Sequence, residues 1–140
     1  MKIPVMLSLR GRQCYQDQEP DMIELVTEGT MQFQDGKCEI CYEESDLTGL
    51  AGVTTHFCVE PGRVILQRTG KLNSEMIFEE GTSHTSLYQM EFGALMITVC
   101  AERIFAQLGT SGGVIDLIYK IEIEQTTAGT VDYHLEITAK

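Results

Sequence analysis

The stretch MQFQDGKCEICYEE, residues 31–44, constrains the fold more than any other segment of the chain. Asp35-Gly36 is a two-residue hairpin signal, because both central positions of a type I′ turn need positive φ and only a few residue types tolerate it. Folding the segment about that turn sets Phe33 against Cys38, Met31 against Ile40 and Gly29 against Tyr42. One face of the ribbon is then apolar and the other carries Gln32, Gln34, Lys37 and Glu39, the pattern of a half-buried antiparallel pair.

The same construction works elsewhere. About Pro61-Gly62, read as a type II turn, Val59 pairs with Val64, Phe57 with Leu66 and Thr55 with Arg68. About Phe92-Gly93 it pairs Met90 with Leu95 and Tyr88 with Ile97, and a loop at Thr127 to Gly129 pairs Ile123 with Tyr133 and Ile121 with Leu135. The 13 glycines fall mostly between such segments, and helical periodicity is almost absent. Strands are predicted near residues 3–13, 21–34, 37–45, 52–60, 63–69, 75–80, 83–91, 94–107, 113–126 and 130–138. Their short connections make successive strands antiparallel neighbours, and about ten such strands curl until their edges close. The prediction is an all-β chain, one domain over residues 1–140, folded as a single antiparallel up-and-down barrel. Eight strands make a barrel that side chains just fill, so a wider one is expected to hold a cavity.

The inward set on this reading is Val5, Leu7, Leu9, Ile23, Leu25, Met31, Phe33, Cys38, Ile40, Tyr42, Phe57, Val64, Leu66, Met76, Phe78, Tyr88, Ile97, Val99, Ile115, Leu117, Tyr119, Ile121, Tyr133 and Leu135.

Charge narrows the partners. With 10 basic and 21 acidic residues the net charge is −11, which repels phosphate backbones and anionic lipid. Neither nucleic acid nor a membrane is an expected partner; a basic protein is compatible. The five cysteines form no disulfide framework and suit reduced thiols in the cytoplasm. The opening MKIPVMLSLRGRQC fails as an export signal: its apolar run contains Pro4, stops at Arg10 and lacks a small-residue cleavage site. No apolar run approaches the ~18 residues of a membrane helix.

Motifs with chemical potential mostly dissolve under strand alternation. Cys38-Glu39-Ile40-Cys41 has the CxxC spacing of redox and zinc sites, but on a strand an offset of three sends the sulfurs to opposite faces. His56 and Cys58 share an outward face, and two ligands are too few for a metal. No serine sits in a GxSxG elbow, and Ser111-Gly112-Gly113 reads as a turn rather than a phosphate loop. Glu43-Glu44 and Glu79-Glu80 place one carboxylate on each face, as at a solvated strand end. No catalytic residue, metal or cofactor is expected.

One feature resists that treatment. Arg68 falls in phase with Val64 and Leu66, and Arg103 in phase with Ile97, Val99 and Phe105. A buried, unpaired guanidinium costs several kcal/mol by the order-of-magnitude Born argument. Two readings follow. In one, Arg68 snorkels at the barrel rim into water or onto Glu75 or Glu80. In the other, Arg68 and Arg103 point into a lumen beside Tyr42, Tyr88, Tyr119 and Tyr133, where a guanidinium and phenols would grip an anionic head.

The runs YEESDLTGLAGVTTHF, ILQRTG, MIFEEG, LYQMEFG and IYKIEI, in that order and spacing over most of the chain from Val5 to Ile137, resemble the YwiB-like family of small bacterial proteins. The resemblance implies a calycin-like barrel similar in outline to lipocalins and fatty-acid-binding proteins, and no assigned activity. Where that family favours Tyr-x-Thr-Pro-Tyr-Gly, this chain has Tyr88-Gln89-Met90-Glu91-Phe92-Gly93. Three functional classes are thus ordered: a non-catalytic protein binding a small amphipathic or anionic ligand in the barrel, then a filled barrel that engages a protein partner, and last an enzyme.

Overall fold

The computed structural model describes residues 2–15, 21–44, 51–90, 93–124 and 126–140. Ten strands follow in chain order: β1 (Lys2–Tyr15), β2 (Asp21–Gln34), β3 (Lys37–Glu43), β4 (Val53–Glu60), β5 (Arg63–Gly70), β6 (Ser74–Phe78), β7 (Ser83–Met90), β8 (Gly93–Gly109), β9 (Gly112–Ile123) and β10 (Thr126–Ala139). They form one antiparallel sheet in the order β6-β5-β4-β3-β2-β1-β10-β9-β8-β7. The first and last strands pair, from Val5↔Ala139 to Tyr15↔Gly129, so the meander curls on itself. Its edges are the consecutive strands β6 and β7, and the barrel is nearly closed, as predicted. Among the described residues, no helix is long and apolar enough to cross a membrane.

Two turns do what their residues require. Asp35 and Gly36 take φ values of 53° and 79°, and the pairs Met31↔Ile40 and Phe33↔Cys38 form. Gly62, at φ 76°, closes β4 on β5 with Phe57↔Leu66 and Thr55↔Arg68. Gly29 is needed for a different reason: a Cβ there would lie 2.5 Å from the Cys41 carbonyl oxygen and 2.8 Å from Leu7. It lets β3 and the Leu7 side chain press against β2.

Two hairpin registers differ from the sequence reading. Ile123 pairs with Thr126 and Ile121 with Gly129, so β9 turns at Glu124, whose φ is 52°, rather than at Thr127 to Gly129. Tyr88 pairs with Leu95 rather than Ile97; most of the Phe92-Gly93 turn lies outside the described residues. From Gly129 onward in β10, and throughout β7, the displacements are six and two residues and keep each side chain's face, because only an odd displacement reverses a strand; the Ile123↔Thr126 pair is displaced by seven, across the register shift between Thr127 and Gly129. A third correction does reverse one. The register of β8 against β9 shifts between Ala101 and Arg103, a bulge that adds Glu102. Beyond it Ile104 pairs with the inward Leu117, while Arg103 and Phe105 are exposed. Arg103 therefore does not point into the barrel.

The core is continuous around the barrel and includes Val5, Leu7, Ile40, Phe57, Phe78, Ile115 and Leu135, all at 1% exposure or less. Rings meet across the interior: Phe57 and Tyr133 with centroids 5.9 Å apart, Phe78 and Tyr119 at 4.6 Å.

Candidate functional site

Four strands place one inward residue each in a single lateral row. Tyr42 on β3 pairs with Thr55 on β4, Thr55 with Arg68 on β5, and Arg68 with Ser74 on β6. Strand alternation sends all four to the inner face. One step towards the barrel end, Glu44 extends the ladder by donating its N–H to the Val53 carbonyl at 2.8 Å. It also faces inward and is buried, and Thr55 Oγ1 donates to its Oε2 at 3.1 Å. From the opposite wall Tyr119 on β9 and Tyr133 on β10 close the ring.

This row borders a cavity of about 450 Å³. Arg68, Tyr42, Tyr88, Tyr119 and Tyr133 all line it, together with Glu44 and the apolar walls of Leu9, Leu25, Leu66, Met76, Ile97, Ile121 and Val131. Arg103, expected here, is excluded by the bulge. Arg68 lines this cavity and is half-buried. Neither Glu75 nor Glu80 neutralises it: Glu75 is exposed on the other face of β6, and the Glu80 carboxylate accepts the Ile104 N–H at 2.7 Å.

Two buried side-chain polar atoms among the described residues, Arg68 Nε and Ser74 Oγ, lack any hydrogen-bond partner, and they cluster with Tyr133 Oη, which makes no bond of good geometry and has the Tyr42 hydroxyl beside it. Arg68 and Tyr133 line the cavity, and Ser74 is the cross-strand neighbour of Arg68. Such atoms are rare in folded proteins, since each forfeits its bonds to water. Burial, followed by the Glu44 charge, pushes the Tyr42 phenol above its ordinary pKa, with the Tyr133 hydroxyl and then Arg68 pulling it back. Burial pushes Tyr133 higher still. Both phenols therefore keep their protons at neutral pH and remain neutral donors.

Glu44 and Ser74 were missed by the sequence reading, which set Glu44 at a solvated strand end. The signal for Glu44 was its offset of two from Tyr42, which repeats the inward face. Elsewhere, His134 on the outer face stands between Asp116 and Glu136, its Nε2 3.0 Å from the latter. Each carboxylate engages a different ring nitrogen, so the three do not converge, and no group of three or more metal-type ligands occurs among the described residues. Cys38 is buried and Cys41 lies on the opposite face; burial raises the Cys38 thiol to about 11.

A sheet closed by its first and last strands, with aromatic contacts across its interior and a lined cavity, defines a small antiparallel barrel. Residues 7–137 match the family model described as a domain of unknown function, DUF1934, and the chain belongs to that family. The fold is similar to that of the YwiB protein of Bacillus subtilis in its crystal structure, with a TM-score of 0.88 at 22% identity, covering 99% of this chain and 93% of that one. At that identity the likeness is one of fold. No curated protein matches the chain.

Proposed function

We propose that this barrel is a non-catalytic binding protein that takes a small amphipathic ligand, its acceptor-bearing head against Arg68 and Tyr133 and its apolar part along the aliphatic walls. One observation carries the reading: Arg68 Nε is buried without a partner, beside the paired Tyr42 and Tyr133 hydroxyls, at the border of a cavity of about 450 Å³, a size in the range of small-molecule sites. Leaving a buried donor unsatisfied costs about 1–3 kcal/mol, and a ligand oxygen would recover that energy. The free thiols favour a cytoplasmic setting. Native mass spectrometry of the full chain isolated from its own host tests the proposal. A co-purifying small molecule, lost in Arg68→Met, is expected; wild-type protein that carries nothing and takes up no alkyl carboxylate would refute it.

A protein partner is the second reading. It is favoured by a cleft of about 610 Å³ at the other barrel end, where the exposed Phe33 and Phe105 lie with Glu60, Glu79 and Glu80. Cross-linking in host cells with Phe33→Ser as the control would test it, since loss of a cross-linked partner in the variant is its specific expectation.

A further inference from the structure

Resting on the ligand site just proposed, we infer that the cavity admits a singly charged oxyanion head, a monocarboxylate in the first instance, and that Glu44 is the residue that turns doubly charged heads away. The argument begins with charge at the site. Arg68 supplies one positive charge to the lining and Glu44 one negative charge. They stand two strands apart and two residues along, on β5 and on the extension of β3, a backbone separation of roughly 12 Å at the spacings of neighbouring strands and successive residues. A head seated on Arg68 and Tyr133 thus lies within the unscreened reach of the Glu44 carboxylate, which Thr55 Oγ1 holds in place at 3.1 Å. The Tyr42 phenol sits between them and registers both charges, raised by Glu44 and lowered by Arg68.

The remaining polar groups are neutral. Tyr42, Tyr88 and Tyr133 offer hydroxyls, and they add hydrogen bonds without adding charge. A monoanion therefore meets one cation and several donors. A dianion meets the same single cation and a doubled repulsion from Glu44. Its own desolvation is also far larger, since the Born term grows with the square of the charge. At an effective dielectric of about 20, one extra negative charge about 7 Å from Glu44 is disfavoured by a factor of several tens. Attraction of the extra charge to Arg68 at contact is larger on the same scale, so the part of Glu44 is to cancel roughly half of that attraction and leave the dianion's greater desolvation unrecovered; a net discrimination of about tenfold is expected. Head geometry does not enter: a singly charged sulfate ester should be accepted although it is tetrahedral.

Isothermal titration of the full-length protein with decanoate, decyl sulfate and decyl phosphate, below their micellar concentrations, separates charge from shape. At pH 8 decanoate and decyl sulfate are expected to bind and decyl phosphate to bind about tenfold more weakly. At pH 5.5 the phosphate, whose second pKa is about 6, should recover most of that loss. Glu44→Gln keeps the acceptor for Thr55 and removes the charge, so it should shrink the gap between decanoate and phosphate at pH 8. Equal or tighter binding of decyl phosphate by the wild type, or a gap unchanged in Glu44→Gln, would overturn the inference while leaving the ligand site standing. Failure of all three probes to bind would instead remove the ligand site itself.

Discussion

At Arg68 a cation sits on an inner face that hydrophobic patterning reserves for apolar side chains, with Val64 and Leu66 on the same strand. Its stem packs there like any aliphatic chain, but its Nε–H has no acceptor. An orphaned donor is a liability for the free protein and an asset only for binding, the usual relation between a functional site and stability. Arg68→Met retains the stem and deletes the guanidinium. Its expected effect is therefore unchanged or increased stability, by up to about 1–3 kcal/mol, the cost of the unsatisfied group. Urea denaturation measures it. A loss of more than about 1 kcal/mol would mean that the guanidinium makes a structural bond, and that its placement as a ligand group is wrong.

Strands record their faces in the sequence more firmly than their partners. Alternation identified Tyr42, Tyr88, Tyr119 and Tyr133 as inward, and all four line the cavity. It did so even though the β7–β8 and β9–β10 registers differ from those drawn from the turns, because the displacements are even along β7 and from Gly129 onward in β10, where Tyr88, Tyr119 and Tyr133 pair. What alternation cannot register is an inserted residue. Glu102 adds one position to β8, and every residue beyond it changes phase: Ile104 and Leu108 pack against the core while Arg103 and Phe105 face out. Nothing in AERIFAQLG announces this, since charge and apolarity alternate acceptably in either phase. Ser74 and Glu44 were obscured differently, as short or charged residues whose burial depends on four strands meeting in one row. The bulge makes a sharp prediction. Deleting Glu102 should leave a regular ladder in which Arg103 still faces out and Ile104 in, so the protein should fold with stability within about 1 kcal/mol of wild type, the lost exposed Glu102–Lys120 pair being worth little. Deleting Thr98, which lies in an unbroken stretch of the same ladder, should reverse the faces between it and the bulge and abolish folding, with about 1.5–3 kcal/mol lost per large side chain expelled. Thermal melts of the two deletions decide it, and similar behaviour of both would refute the bulge.

On the scale of the whole barrel, closure is uneven. The chain termini lie in the best-secured part, where β1 is paired on both sides by β2 and β10. The sheet edges β6 and β7 come together instead along a seam between consecutive strands. One end of that seam is pinned by the reciprocal bonds of Asn73 and Gln89, at 2.9 and 2.8 Å. The other is pinned by Gly81 N–H to the Ala101 carbonyl at 3.0 Å and by Glu80 on the Ile104 N–H. Between the pins no ladder joins β6 to β7 among the described residues. Local opening draws on segments with few shared hydrogen bonds, so the seam should part at lower free energy than the β1–β10 junction. Met76 on one edge and Tyr88 on the other both line the cavity, which makes such an opening a route for a ligand. Native-state hydrogen exchange across a urea series tests this. Amides of Leu7 and Leu135 are expected to exchange only through global unfolding, with a steep dependence on denaturant, whereas those of Met76 and Ile77 should exchange through a smaller opening that depends on it weakly. Identical free energies and slopes for the two groups would show that the barrel opens only as a whole, and that the cavity must be reached from its end.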